Sequence, residues 1–411
     1  MGSPASARNV VIRARRPSLP VTVVLLGMTS LFTDIGTEMI FPLLPMFLVE
    51  ALGASPTYLG LVEGVANAVA SVLKLGSGFL SDLVAKRKPL VLFGYGVASL
   101  ARPFFAVATQ PWHALAVRVV DRVGKGVRSS PRDALIADVA GDKAGRAFGF
   151  HQAMDNVGAV LGPLLATLLI AGHMSVRHVF WVAVIPGALA TTCVAFIREP
   201  PRLKRSAVSA ATTVAPSSLG PSLVSYLAIV AIFSLGNSSD AFLLLRARSL
   251  GLSAAVLPIL WSTLNLSKVV FAYWGGELAD RRSRSKLIVS GWLVYAGVYA
   301  GLAAAKAPWH VWGLFVVYGI FYGLTEPVEK ALLMDLTPGA ARGRAYGVYN
   351  FIVGIASVPA GLITGGLWNR WGAAVALDAA AGFAAVACIL LFAWDSRRAR
   401  SGPIDAKMVA S

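Results

Sequence analysis

Apolar residues in this chain arrive in blocks of about twenty, and blocks of that length leave few folds open. Such runs cover 21–31, 89–108, 178–196 and 373–394, among others. A helix rises about 1.5 Å per residue, so about twenty residues cross the ~30 Å hydrocarbon layer of a bilayer. Lipid offers no partner to a backbone N–H or C=O, so a spanning segment must satisfy its own backbone, which favours the helix. Twelve spans can be read, near 21–49, 57–80, 89–109, 112–136, 147–171, 176–197, 223–247, 252–277, 286–306, 310–335, 345–367 and 372–395. Composition agrees: 56% of the 411 residues are hydrophobic and only 14% charged, against about a quarter charged in soluble domains. The expected fold class is all-α integral membrane, with twelve transmembrane helices.

A net charge of +17 could point to nucleic acid, but the charge is placed otherwise. Basic residues crowd the start (Arg8, Arg13, Arg15, Arg16), the turn Lys86-Arg87-Lys88 and the central loop (Arg198, Arg202, Lys204, Arg205). They recur at Arg281, Arg282, Arg284 and Lys286, and in the tail at Arg397, Arg398 and Arg400. These are alternate connections, and those between them carry almost no Lys or Arg. The positive-inside rule then puts both termini in the cytoplasm, as an even number of spans requires. Nucleic acid is excluded as a partner and the bilayer takes its place. The heavy use of Arg over Lys suggests a bacterial source, and with it the inner membrane. The first apolar block is too long for a cleavable signal and has no small-residue cleavage site behind it, so it reads as a span that doubles as the targeting signal. Cys193 and Cys388 both lie inside apolar blocks, so neither a disulfide framework nor a metal cluster is expected.

The chain also repeats itself. A shift of 198 residues carries Gly78, Leu80 and Asp82 onto Gly276, Leu278 and Asp280, with Lys86 and Lys88 falling on Arg284 and Lys286. The same shift carries Gly145-Arg146-Ala147-Phe148-Gly149 onto Gly343-Arg344-Ala345-Tyr346-Gly347, Asn67 onto Asn265 and Gly53 onto Gly251. One residue out of step, Pro111-Trp112-His113 recurs as Pro308-Trp309-His310. A constant offset in widely separated regions argues for a duplicated six-helix unit. The expected division is an N-terminal tail (1–20), a first bundle (21–197), a linker (198–222), a second bundle (223–395) and a C-terminal tail (396–411).

The doubled turn G-x-L-x-D-x-x-x-[RK]-x-[RK] resembles the signature of the major facilitator superfamily, which carries it between spans two and three and again between eight and nine. The resemblance covers about 21–394 and implies two homologous six-helix bundles. It also implies a conformational latch at Gly78, Asp82, Lys86 and Lys88 and at Gly276, Asp280, Arg284 and Lys286. In span five, Gly158-x-x-x-Gly162-Pro163 is similar to a motif of that family's drug/proton antiporters. Small residues there permit close helix packing, and the proline can bend the helix.

Ionisable residues inside spans are expensive, roughly 2.5–3.5 kcal/mol each at the bilayer centre, so they normally face protein or water. Span four carries Arg118, Asp121, Arg122, Lys125, Arg128, Arg132 and Asp133. At about 100° per residue these fall within an arc of roughly 140°, opposite Val119, Val120, Val123 and Val127. Seven such groups in lipid would cost on the order of 20 kcal/mol, more than a protein's whole stability. The stripe must face a cavity or neighbouring helices, and its positive excess calls for acidic partners or an anionic solute. Acidic residues lie at Asp34 and Glu38 (span one), Glu63 (two), Asp155 (five, one turn after His151), Asp240 (seven, beside Asn237, Ser238 and Ser239) and Glu326 and Glu329 (ten, with Lys330). Lys74 and Lys268 sit in spans two and eight.

The expected substrate pathway comprises Arg118, Arg122, Lys125, Arg128, Arg132, Asp240, Glu326 and Glu329. Asp34, Glu38, Asp155 and His151 are the candidates for proton coupling, because burial and neighbouring charge can move a carboxyl or imidazole into a working range. The resulting expectation is a monomeric, proton-coupled transporter of a small anionic or zwitterionic solute working by alternating access. Export is favoured over uptake of an anionic metabolite. No cofactor or metal is expected, and no catalytic set is visible: Gly124-Lys125-Gly126 is a short run, not a phosphate loop. A transporter-like sensor or platform is a second class, disfavoured by the short linker and tail.

Overall fold

A computed structural model describes residues 19–141, 144–199, 220–337 and 342–400. The helices follow the apolar blocks: span one Val21–Ala51, two Pro56–Leu83, three Lys88–Val107, four Pro111–Ala140, five Ala144–Ala171 and six Val176–Ala195. Then come span seven Pro221–Ser249, eight Leu257–Arg281, nine Arg284–Ala304, ten Pro308–Asp335, eleven Arg342–Trp371 and twelve Ala373–Arg400. Among the described residues, ten of these are long and apolar enough to cross a membrane. Span four falls short because of its charges, and in span eight the apolar stretch is described over Leu257–Ala272. Residues 200–219 of the expected linker, and 1–18 and 401–411 of the expected tails, lie outside the described residues.

Spans one and seven are interrupted beside the centre of the molecule. In span one, Pro42 and Pro45 remove backbone donors, and the helix tightens to a 3-10 turn at Phe41–Leu43 and widens to a π turn at Phe47–Ala51. In span seven the helix stops at Gly236, Asn237 takes φ −82° and ψ 73°, and regular helix resumes at Ala241. Serine and asparagine compete with the helix for backbone hydrogen bonds, and here Ser239 Oγ accepts from the Ala241 N–H at 3.3 Å. Irregular backbone at this depth is tolerated where protein or a water-filled cavity surrounds it.

Spans one to six and seven to twelve meet along two seams. Span two lies against span eleven, with the Gly60 and Gly361 backbones in direct contact. A Cβ on Gly64 would stand 2.6 Å from the Ser357 carbonyl oxygen, and Ser357 Oγ donates to Gly64 O at 3.0 Å. Span five lies against span eight, where Ser262 Oγ donates to Val160 O at 2.9 Å and Asn265 Nδ2 to Ala159 O at 3.0 Å. At the end of the molecule away from the chain termini, Arg248 Nε and Nη2 grip the Glu50 carboxylate at 2.7 and 3.0 Å. Beneath that pair Phe41 packs on Trp261, ring centroids 4.8 Å apart. This far end is closed.

The internal repeat keeps two registers. Glu50 and Arg248 are 198 residues apart, the spacing read from the sequence. Through spans three and four the correspondence is 197. Arg87 pairs with Asp138 at 2.5 Å, and Arg284, 197 residues later, pairs with Asp335. His113 Nδ1 accepts from the Gln110 N–H at 3.2 Å, as His310 Nδ1 does from Ala307 at 3.2 Å. The structural counterpart of Arg284 is therefore Arg87, not Lys86.

Candidate functional site

The charged stripe of span four is positioned by packing at its back. Gly94 and Gly124 bring spans three and four together (a Cβ on Gly124 would meet Gly94 O at 2.5 Å), and Gly126 sits over Ala70 and Leu73 of span two. The charged face turns inward. It borders a cavity of about 480 Å³ between the two sets of six spans, walled by residues of spans one, two, four, seven, eight, ten and eleven. Along span four exposure to this cavity grows toward the terminal end: Arg118 is 2% and Arg122 7% exposed, and Lys125 is exposed. With the far end shut, the cavity opens toward the termini.

Four of the expected pathway residues are brought together there: Arg118, Arg122, Lys125 and Asp240. Their environments differ. Arg118 forks onto Glu63 with two bonds of 2.9 Å, geometry that suits guanidinium and carboxylate, and Ser239 Oγ reaches the same carboxylate at 3.4 Å. Asp240 accepts from Tyr318 at 2.9 Å and Tyr322 at 2.7 Å, with Lys268 Nζ 3.6 Å away. Arg122 has only the edge of an ion pair, 4.0 Å to an Asp121 already bonded to Arg102 at 3.0 Å. Its Nε has no hydrogen-bond partner. The Lys125 side chain makes no hydrogen bond or ion pair among the described residues.

The other expected pathway residues stand outside the cavity wall. Arg128 lies over the Tyr95 ring at 4.0 Å, and Arg132 pairs with Asp133 at 2.8 Å. Glu329 accepts from Trp292 Nε1 at 3.1 Å and from Tyr349 within the second set of spans. Glu326 pairs with Lys330 at 3.1 Å on the exposed end of span ten.

Of the expected proton carriers, only Glu38 borders the cavity, where its carboxylate accepts from Trp261 Nε1 at 2.6 Å. Asp34 and Asp155 sit behind it, between spans one and five. Their carboxyl groups are within hydrogen-bonding reach of one another, and Ser30 donates to Asp155. The small residues of span five make this approach possible: a Cβ on Gly158 would lie 2.9 Å from Asp34 Cβ, and one on Gly162 2.6 Å from Ile35 O. Pro163 follows inside the same helix. His151 is buried one turn before Asp155, and its Nε2 has no partner.

At the terminal end, the turn between spans two and three is bound mainly through Arg87, which sequence reasoning passed over. It reaches Asp138 and, at 2.9 Å, Ser81 Oγ. The Glu199 carboxylate accepts from the Arg87 and Lys88 N–H groups at 2.7 and 2.8 Å, and Lys88 Nζ donates to Ala195 O at 2.7 Å. Lys86 and Lys286 are exposed, and Gly78 faces Ser130. The side chains of Asp82 and Asp280, and the surroundings of Gly276, lie outside what the structure describes. Arg102, Trp261 and Tyr322 were also missed. Arg102 falls inside the apolar block of span three, so an intramembrane charge was there to be noticed. Tyr318 and Tyr322, four apart, share a helix face with Glu326.

Membrane-length helices closed around a central polar cavity define a multi-pass membrane transporter. The profile of the Major Facilitator Superfamily matches residues 26–245 and again 224–410, and the chain belongs to that family. It is 33% identical over 358 residues to an uncharacterized MFS-type transporter of Methanocaldococcus jannaschii, covering 85% of this chain and 89% of that one. A shorter match, 29% over 145 residues (34% of this chain, 35% of the relative), is to the multidrug resistance protein MdtH of Photorhabdus laumondii. Among solved structures, the nucleoside transporter NupG superposes with a TM-score of 0.72 at 13% identity, covering 91% of this chain and 98% of that one; the likeness is one of fold. The family is one of transporters, not enzymes.

Proposed function

We propose that this protein is a proton-coupled secondary transporter of a small anionic solute, in which spans one to six and seven to twelve rock about the central cavity. The observation that carries this reading is the cationic wall of the cavity: Arg122 and Lys125 project into it with no carboxylate partner closer than 4.0 Å. Cations at this depth are costly to leave uncompensated, and an anionic solute compensates them. Proton coupling is assigned to the Asp34–Asp155 pair. The two carboxyl groups face one another between spans one and five, so one proton can be shared between them and its loss leaves two like charges side by side. Lys125 supports the link, because it faces the cavity and its charge is attracted to both aspartates. Both termini are assigned to the cytoplasm from the basic connections, which makes the described state inward-open. Export is preferred, in keeping with the partial likeness to a multidrug resistance protein; an uptake symporter of an anionic metabolite is the second reading, favoured by Lys125, since a proton on the dyad frees that cation for the solute.

The test is flux in proteoliposomes under an imposed pH gradient, with a panel of organic anions and a lipophilic cationic dye. The expected result is gradient-driven anion movement. Asp34→Asn should abolish the response to the gradient while leaving anion exchange between two filled compartments. Dye efflux without anion flux would refute the assignment.

A further inference from the structure

We propose that the solute is a small organic anion carrying several hydroxyl groups, such as a sugar acid or a sugar phosphate, bound with its charged head at Arg122, Lys125 and Lys74 and its hydroxyls at the break in span seven. The proposal rests on the anionic reading above and narrows it to a chemical class.

The cavity is chemically two-sided. The wall from spans two and four supplies the ammonium groups of Lys74 and Lys125 and the guanidinium of Arg122. The facing wall is mostly neutral and polar: Ser234, Asn237, Ser238 and Ser239 from span seven, with Asn350 and Ser357 from span eleven; its carboxylate, Asp240, is already held by Tyr318, Tyr322 and Lys268. Part of that second wall is already engaged, since Ser357 bonds across the seam and Asn350 Nδ2 donates to Tyr346 O at 2.8 Å. The broken turn of span seven is different. Ser238 is only 5% exposed, borders the cavity, and its Oγ has no hydrogen-bond partner. Asn237 borders the same space, and its side chain makes no hydrogen bond among the described residues.

A buried hydroxyl without a partner costs about 1–3 kcal/mol, so it marks a position that a bound molecule completes. Arg122 marks a second, on the opposite wall, with its unpartnered Nε. One ligand that satisfies both must be anionic at one end and rich in hydroxyls at the other. A purely apolar acid would satisfy Arg122 and leave Ser238 and Asn237 unpaired. A neutral sugar would do the reverse. The volume, about 480 Å³, lies in the lower half of the ~300–1,000 Å³ range of small-ligand pockets, which suits a solute of hexose size. Over one side stand Trp261 and Tyr322, with the Lys268 ammonium over both rings at 5.0 and 3.7 Å.

Sites built to hydrogen-bond a hydroxyl discriminate strongly against analogues that lack it, because the site's own polar groups are then stranded. The experiment compares gluconate, glucose 6-phosphate, hexanoate and glucose, by thermal shift of the purified protein and by flux into proteoliposomes. Gluconate, glucose 6-phosphate or both should bind and move at least about tenfold better than hexanoate or glucose; which of the two wins identifies carboxylate or phosphate as the head. Ser238→Ala combined with Asn237→Ala should bring the preferred acid down to the level of hexanoate without lowering hexanoate itself. Arg122→Gln should lower both acids together. Equal handling of hexanoate and the hydroxylated anions by the unmodified protein would overturn this inference and leave the anionic reading intact. Transport of glucose alone, or of no anion at all, would overturn both.

Discussion

The first and second six spans share one helical plan and fill it with opposite chemistry. In the first set the interior is ionic: Arg118 with Glu63, Arg102 with Asp121, Arg132 with Asp133. In the second it is aromatic. Phe233 stacks on Trp292 at 4.4 Å, Tyr295 on Tyr299 at 4.0 Å, and Tyr318 on Phe321 at 5.5 Å. The contrast holds position by position. Shifted by 197, Arg102 and Asp121 become Tyr299 and Tyr318, so an ion pair at 3.0 Å corresponds to a ring contact at 6.0 Å. The cavity residue Lys125 becomes the cavity residue Tyr322. Duplication preserved two packing glycines (Gly94 and Gly126 recur as Gly291 and Gly323), the histidine helix caps and the ion pairs at the terminal end, and left the interior free to diverge. The first set then presents cations to the cavity, and the second presents hydroxyls, rings and an Asp240 already held by Tyr318, Tyr322 and Lys268.

This difference can be broken experimentally. The largest effect is expected from Arg118→Ala, which strands the buried Glu63 carboxylate; losing one partner of a buried pair costs about 3–5 kcal/mol. Thermal unfolding in detergent should show a collapse of stability, partly recovered when Glu63→Gln is added, because coupled partners are not additive. Next is Gly361→Val, which forces a side chain into the Gly60 backbone. Overpacking of this kind costs about 1–3 kcal/mol and should reduce the yield of monodisperse protein on size exclusion. In the aromatic half, Tyr318→Phe removes one hydrogen bond to the Asp240 carboxylate, keeps the ring and leaves the bond from Tyr322 in place. About 1.5 kcal/mol is expected, the low end for a bond to a charged group, visible as a small drop in the same melting assay. A Tyr318→Phe penalty as large as that of Arg118→Ala would erase the distinction between the halves.

Much of the scaffold was legible in sequence because hydrocarbon thickness dictates span length. Every expected span recurs within five residues of its boundaries, and the inward turn of the span-four stripe followed from the cost of charge in lipid. Which charges would meet was not legible. Glu329 is an acid on an expected cavity-lining span, yet its partners Trp292 and Tyr349 come from spans nine and eleven, a three-helix contact that no spacing encodes. Arg128 and Arg132 share the stripe with Arg122, but the stripe is longer than the cavity, so its terminal-end members meet Tyr95 and Asp133 instead. Lys86 was aligned with Arg284 because a single-residue slip in the repeat leaves the basic pattern looking intact. Only the carboxylate partners show that Arg87 holds the equivalent place.

The Glu50–Arg248 pair joins two positions that duplication made equivalent, one copy turned acidic and the other basic. It is half in solvent, with side-chain exposures of 45% and 32%, so dissolved ions reach it. Pairs of this kind contribute at most about 1 kcal/mol, yet in a balance between two orientations that is about a fivefold change in their ratio. Raising ionic strength from about 0.01 M to 1 M shortens the screening length from about 30 Å to 3 Å and should loosen the far end. Spectroscopic distances between labels on spans one and seven should lengthen with salt, and Glu50→Gln should make them insensitive to it. Under the proposed rocking, the salinity of the medium at that end becomes an input to which way the resting protein faces.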